Sequence, residues 1–181
     1  MQNPLNIIAA SPTQALHDQE IMRFAIIQAR VASELGEVPI GAVVYQTDPT
    51  TGQTELLAQA HNLRESSADP TAHAEILAMK MAAKKLGTWR LDGCGLAVTL
   101  EPCPMCAGAM INARMDHCIY GITDPKMGCV DTLHQLLADE RFNHRLPWRA
   151  GVLKEECLEL LQTFFKARRG KNKPPKPTFK P

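Results

Sequence analysis

Three metal-ligating side chains, in two short segments, constrain the fold of this chain more than any other feature. His73 lies in the segment 69–75, and Cys103 and Cys106 lie in the segment 101–106. A catalytic zinc site has three protein ligands and leaves its fourth position to water. One histidine and two cysteines make a complete ligand set of this kind. We therefore expect the fold to bring these two segments together around one zinc ion.

Both segments have the composition of a helix start. If Pro104 opens a helix, Cys103 and Cys106 lie on its first turn and on one face. Asp69 or Thr71 can cap the other helix. The positive end of a helix dipole favours the thiolate, which is the form of cysteine that binds zinc. The sequence thus predicts two helix N-termini that converge on one ion.

Glu75 follows His73 by two residues and is a candidate to move the protons of a zinc-bound water. General acid–base catalysis of this kind contributes roughly 100- to 10,000-fold. Residues two apart on a regular helix point about 200° away from each other. His73 and Glu75 can therefore share a site only if the metal lies beyond the helix end, or if the first turn is irregular. The sequence leaves both arrangements open.

Two other interpretations of the ligand set are available. In a closed structural zinc site, a further cysteine supplies the fourth ligand; in a metal-free protein, the cysteines and the histidine are simply buried in the core. A closed site leaves Glu75 without a role, and no other pair of cysteines has ligand spacing. The candidates for a fourth ligand are Cys94, Cys118, Cys129 and Cys157.

Length and composition exclude several classes of protein. A chain of 181 residues suits one domain, and 20 basic against 19 acidic side chains give no overall attraction to nucleic acid. Six cysteines indicate metal binding and buried thiols rather than a disulfide framework. No apolar run approaches the ~20 residues of a membrane helix, and residues 1–8 lack the pattern of a signal peptide. We expect a soluble, cytoplasmic protein.

The order of the predicted elements is typical of an α/β fold. The first two strands form an antiparallel hairpin, and the alternation of strands and helices that follows favours parallel pairing. We therefore predict a three-layer α/β/α sandwich around a central mixed five-stranded sheet. The predicted strands are 40–46, 55–61, 96–100, 117–121 and 149–153, and the predicted helices after the first are 72–86, 105–113, 131–138 and 154–169.

The two ends of the chain differ from this domain, to which we assign residues 17–169. The first helix begins either at a capping box around Ser11 or nearer His17, and runs to about Leu35. Residues 1–16 are assigned to a flexible leader. Residues 170–181 form a basic tail rich in proline and lysine, which we expect to be disordered. Such a tail either keeps the protein soluble or contacts phosphate groups.

Several segments together carry a resemblance to a known family. Over roughly residues 17–170 the chain resembles the bacterial tRNA-specific adenosine deaminases of the cytidine deaminase-like superfamily. The zinc motif alone also fits deaminases of cytosine, guanine and riboflavin precursors, whereas the segments 143–145 and 164–169 favour the tRNA enzymes. The segments that carry the resemblance are 37–43, 61–62, 69–77, 99–110, 120–121, 124–126, 143–145 and 164–169.

This resemblance implies a homodimer that deaminates the wobble adenosine of a tRNA anticodon loop to inosine. The target base is flipped into a pocket that holds one zinc ion per subunit, with His73, Cys103 and Cys106 as ligands. Glu75 then carries protons from water to the ring nitrogen and the leaving amine. The implied RNA contacts are Asn62 for the target nucleoside, Asp124 and Asn143 for neighbouring nucleotides, and Phe165, Arg168 and Arg169 for the anticodon-loop surface.

The residues by themselves support less than the resemblance does. Asn62 follows a strand and reads first as a turn residue, and Asp124-Pro125 is ordinary turn chemistry, although ligands gather beyond the carboxyl ends of strands. Two rival functions also fit. One is a deaminase of free guanine or cytosine, and the other is a non-catalytic, zinc-stabilised subunit that binds RNA or a partner protein.

Overall fold

A five-stranded mixed sheet forms the centre of the computed structural model, which describes residues 11–169. The strand order is β2-β1-β3-β4-β5; β1 is antiparallel to both of its neighbours, and β3, β4 and β5 are parallel. The strands are β1 Gly41–Thr47, β2 Thr54–His61, β3 Cys94–Leu100, β4 His117–Ile122 and β5 Trp148–Ala150. The helices are α1 Pro12–Glu34, α2 Ala74–Leu86, α3 Pro104–Ala113 and α4 Lys154–Arg169, with a 3₁₀ turn at Leu136–Ala138.

Two hydrophobic clusters lie on opposite faces of the sheet and give the fold its three layers. Successive side chains of a strand point to opposite faces. On β1, Val43 and Tyr45 pack in the cluster that contains α1 and Cys157 of α4. Ala42 and Val44 pack in the other cluster, with α2 and α3. The predicted α/β/α sandwich and its antiparallel hairpin are therefore confirmed.

The ends of several elements differ from the sequence-based prediction. Ser11 caps α1, and its side chain accepts a hydrogen bond from the backbone N–H of Gln14 at 3.2 Å. Residues 12–16, which the sequence assigns to the leader, thus belong to the first helix. β5 is Trp148–Ala150 rather than 149–153, and only Leu136–Ala138 of the predicted helix 131–138 is helical. Residues 1–10 and the tail 170–181 lie outside the described residues.

The structure adds one finding on membranes. Within residues 11–169, no helix combines the length and the apolar character that a membrane-crossing segment requires.

At Gly41, α1 lies directly against the beginning of β1. A Cβ atom at this position would lie 2.0 Å from the carbonyl oxygen of Ala25 and 2.5 Å from the backbone nitrogen of Ala29. The N–H of Gly41 also donates to the hydroxyl of Thr99, at 3.2 Å, from inside the core. Only glycine permits this contact, which fixes α1 over the beginning of β1.

Gly41→Ala is expected to destabilise the protein by about 1–3 kcal/mol, because helix and strand must move apart to admit the methyl group. Gly108 on α3 is the matched control, since a Cβ there meets no atom within 4 Å. Gly108→Ala should be neutral or stabilising by up to about 1 kcal/mol, through helix propensity. Urea unfolding measures both free energies, and equal stabilities of the two variants would contradict the assignment.

Candidate metal centre

The three predicted ligands converge in the structure. Their ligand atoms are Nδ1 of His73, Sγ of Cys103 and Sγ of Cys106, and all three pairwise distances are 3.6 Å. Among residues 11–169, this is the group of metal-ligating side chains that lies close enough together to hold an ion. The fold therefore joins the two segments that are distant in sequence.

These distances fit a tetrahedral zinc ion. Zinc binds sulfur at about 2.3 Å and histidine nitrogen at about 2.0–2.1 Å, so tetrahedral ligands lie about 3.8 Å apart for two sulfurs and about 3.5 Å apart for sulfur and nitrogen. The three observed separations of 3.6 Å lie between these values. The donor set is also one that zinc prefers. The residues present can thus hold one ion and leave a fourth vertex open.

The closed-site interpretation is not supported in the described part of the chain. Cys94, Cys118, Cys129 and Cys157 are buried free thiols, and none belongs to the ligand group. Burial raises the pKa of the thiol of Cys94 to about 11 and that of Cys157 to about 12, with neighbouring acidic groups adding to the effect. These cysteines are core side chains.

The backbone places two of the three ligands, His73 and Cys103, just before a helix. His73 is the N-cap of α2, with φ −74° and ψ 147°, and Cys103 is the N-cap of α3, with φ −73° and ψ 173°. Pro104 opens α3 as predicted, and Cys106 lies in its first turn. Because His73 has extended rather than helical backbone, its side chain and that of Glu75 can reach the same site. The metal site lies beyond the helix ends, which was one of the two arrangements left open.

The predicted caps of α2 were wrong. Neither Asp69 nor Thr71 caps the helix, which begins at Ala74 rather than at residue 72. The carboxylate of Asp69 instead accepts hydrogen bonds from the N–H and the hydroxyl of Thr71, both at 2.7 Å. Asp-Pro-Thr therefore forms a local turn that presents His73.

The two ligand cysteines and His73 form one hydrogen-bonded cluster. Hydrogen bonding with Cys106, opposed by burial, lowers the pKa of Cys103 to about 4. The same contact, together with burial, raises the pKa of Cys106. Hydrogen bonding with Cys103 raises the pKa of His73. One thiolate thus forms readily next to the histidine.

Glu75 lies deep in the same site, in the first turn of α2, and its exposed fraction is 4%. Burial raises the pKa of its carboxyl group. Glu75, His73 and Cys103 line a cavity of about 250 Å³ at the carboxyl end of β3. The remaining lining residues are Val38, Ile40, Asn62, Arg64, Leu100, Glu101, Asp124 and Met127. A carboxylate beside a metal site in such a cavity can transfer protons to a bound molecule.

The cavity contains some of the predicted RNA contacts and not others. Asn62 and Asp124 line it together with the metal ligands. Asn143 does not: its side chain accepts a hydrogen bond from Arg114, at 2.7 Å, at the far end of α3. Phe165 and Arg169 line a separate groove on α4, and Arg168 stacks on Phe164 at 5.1 Å from the ring centroid. The predicted RNA contacts therefore fall into two groups. Two of them line the cavity, and the others lie on the surface outside it.

Sequence reasoning missed the buried carboxylate of Glu101. It accepts hydrogen bonds from the backbone N–H groups of Asp124, Val130, Asp131 and Thr132 and from the hydroxyl of Thr132. Burial alone would raise its pKa, but these donors lower it. Glu101 therefore holds the loop that brings Asp124 to the cavity. Its position directly before the Pro102-Cys103 pair was the available signal.

A second buried carboxylate, that of Glu37, was missed in the same way. It binds the side-chain amide of Asn62 and two backbone N–H groups of the following loop. The available signal was an acid placed between a helix-ending glycine and the apolar beginning of β1. Each of the two carboxylates holds a loop next to the cavity.

Comparison with known proteins gives relatives along most of the chain. Residues 16–169 match the family model described as MafB19-like deaminase. A tRNA-specific adenosine deaminase of Bacillus subtilis (strain 168) is 50% identical over 156 residues, which cover 86% of this chain and 93% of the relative.

Solved structures agree with this. A structure described in a study of A-to-I editing by tRNA:A34 deaminases at the wobble position superposes with a TM-score of 0.72 at 39% identity, over 78% of this chain and 99% of that one. A guanine deaminase of Nitrosomonas europaea has a TM-score of 0.69 at 22% identity, over 90% of this chain and 88% of that one. At that identity the second likeness concerns the fold alone.

Proposed function

Because this chain belongs to the tRNA-specific adenosine deaminases of the cytidine deaminase-like superfamily, we propose that it deaminates the wobble adenosine of a tRNA anticodon loop to inosine. The observation that carries the proposal is the joint placement of a three-atom metal-ligand group and a buried carboxylate in one cavity. The reaction consumes one water and releases ammonia.

Zinc is the metal that we propose for the site, one ion per subunit, with His73, Cys103 and Cys106 as its ligands. The 3.6 Å separations and the donor atoms support this choice. When bound, zinc would lower the pKa of water from about 15.7 to about 7 and so make hydroxide available at neutral pH.

Glu75 carries the protons of the proposed reaction. Its carboxylate takes a proton from the attacking water and donates it to the ring nitrogen of adenine. It then transfers the second proton of that water to the amine, which leaves as ammonia. Burial of Glu75 keeps bulk water away from these transfers. Asn62 lines the same cavity and is proposed to contact the target nucleoside.

The outer surface is proposed to bind the rest of the anticodon loop. Asp124, at the cavity mouth, and Asn143, in its own loop, would contact neighbouring nucleotides. Phe165 is 41% exposed and offers a stacking face, while the side chains of Arg168 and Arg169 add positive charge at the end of α4. RNA recognition thus uses stacking and phosphate contacts outside the cavity.

Glu75→Gln tests the proposed chemistry, because it keeps the side-chain volume and removes the proton acceptor. With an anticodon stem-loop that carries wobble adenosine, the wild type should form inosine and the variant should be slower by about 100-fold or more. Both should contain one zinc per chain by mass spectrometry. Glu140→Gln, an exposed change, should behave as the wild type.

Three outcomes would contradict the proposal. Loss of zinc from Glu75→Gln would show that Glu75 is needed to hold the metal rather than to transfer protons. Deamination of free guanine or cytosine, with no inosine in RNA, would favour a free-base deaminase. No deamination of any base by zinc-loaded wild type would favour a binding subunit.

Replacing both Arg168 and Arg169 by Ala should weaken stem-loop binding and reduce its dependence on salt. Each lost phosphate contact lowers the slope of log affinity against log salt by about 0.7 for single strands. Fluorescence anisotropy over a salt series measures this. Replacing both Arg23 and Arg30 by Ala, on the exposed face of α1, is the control with the same charge change at another site. An unchanged slope in the double variant would exclude α4 from the RNA surface.

We also propose that two copies associate into a homodimer. Exposed apolar side chains on α2 and just after it support this: Met81 is 52% exposed and Trp89 is 62% exposed. Association of two copies would remove such large apolar side chains from water. Light scattering should give twice the mass of one chain, and a mass of one chain at micromolar concentration would contradict the proposal.

A further inference from the structure

The carboxylate of Glu37 is bound by three donors beyond the end of α1. Its exposed fraction is 1%. Oε2 lies 3.0 Å from Nδ2 of Asn62 and 3.2 Å from the backbone nitrogen of Glu65, and Oε1 lies 2.6 Å from the backbone nitrogen of Ser66. One acid therefore connects the cavity-lining asparagine to the loop that follows it.

This carboxylate can only accept hydrogen bonds. Burial acts to raise the pKa of Glu37, but the N–H donors of Ser66 and Glu65 and the charge of Arg64 bring it below its usual value. An ionised carboxylate has no proton to donate. Whatever faces it at hydrogen-bond distance must be a donor.

The orientation of the Asn62 amide follows from this contact. An asparagine amide has a donor end and an acceptor end of nearly equal shape, so its orientation depends on its hydrogen-bond partners. Against Glu37 the NH₂ end is favourable, whereas the oxygen end would place two acceptors in contact. The backbone N–H of Asn62 is also fixed, since it donates to the carbonyl of Ile40 at 3.0 Å. The amide oxygen is thus the end left for the cavity.

We propose that Glu37 is a positioning residue that holds Asn62 in the orientation in which its amide oxygen accepts a hydrogen bond from the substrate nucleoside. The identity of the substrate in this inference rests on the proposed function, whereas the contact between Glu37 and Asn62 does not. Asn62 is 4% exposed and lines the cavity with His73 and Glu75, so its orientation affects what the cavity can bind. The group recognised is a hydrogen-bond donor of the nucleoside.

Glu101 provides a matched control. It is also a buried glutamate that lines the cavity, and its carboxylate also receives backbone N–H groups from a loop. Its hydrogen bonds go to the loop 124–132 and not to Asn62. Glu101→Gln therefore makes the same chemical change in a similar environment, but without acting on Asn62.

A double-mutant cycle separates positioning from a general structural role. Glu37→Gln places an amide N–H donor where only acceptors fit. The side-chain amide of Asn62 can then flip, so that its oxygen faces residue 37. We expect kcat/KM for the anticodon stem-loop to fall on the order of 10- to 100-fold, with zinc content unchanged. In the Asn62→Ala background the same change should lower kcat/KM by less than about twofold, because the residue it acts through is gone.

The control variant gives the opposite pattern. Glu101→Gln should reduce kcat/KM by the same factor in the wild type and in Asn62→Ala. If Glu37→Gln also behaves additively with Asn62→Ala, or if it leaves kcat/KM unchanged, the positioning role is overturned. Absence of inosine from the wild type would instead overturn the proposed function, which is a separate result.

A measurement on the wild type tests the contact even if Glu37→Gln does not fold. The side-chain amide of Asn62 is identified in a proton–nitrogen NMR spectrum by its loss in Asn62→Ala. Its hydrogen-bonded proton should exchange with solvent far more slowly than the amide protons of the exposed Asn112. Exchange as fast as that of Asn112 would overturn the proposal, whatever the activity of the variants.

Discussion

The convergence of two helix N-termini on three ligand atoms is the constraint on which the rest of the site depends. His73 and Cys103 are both N-cap residues with extended backbone, so their side chains can meet beyond the ends of α2 and α3. The two helices pack on the same face of the sheet, which brings their first turns to the same edge. The carboxylate of Glu75, on the first turn of α2, then needs no irregular backbone to reach the ligand group.

Two buried carboxylates hold the walls of the cavity where regular secondary structure is absent. Loop backbone N–H groups need acceptors when water is excluded, and a buried carboxylate needs donors. The two kinds of group therefore satisfy each other by hydrogen bonding. Glu101 holds the loop that carries Asp124, and Glu37 holds the loop that follows Asn62. The cavity is thereby lined in part by loops that buried carboxylates hold in place.

The sequence predicted the layers, the hairpin and the ligand set, because these follow from local periodicity and residue type. It failed where a different hydrogen-bond partner competed with the expected one. The segment 131–138 has the apolar spacing of a helix, yet Glu101 binds the N–H groups of Val130, Asp131 and Thr132 and holds its start as a loop. Asp69 has the composition of a cap, yet its carboxylate closes a turn on Thr71.

The sequence by itself determined that one histidine and two cysteines can hold a metal beside a glutamate, within an α/β domain. Ligand chemistry and the presence of a helix follow from residue type and local spacing, so the sequence alone shows them. Only the tertiary structure decided that the other four cysteines stand apart from the ligand group, and which end of the Asn62 amide faces the cavity. Those outcomes depend on contacts between residues far apart in the chain, and the packing of the sheet alone brings such residues together.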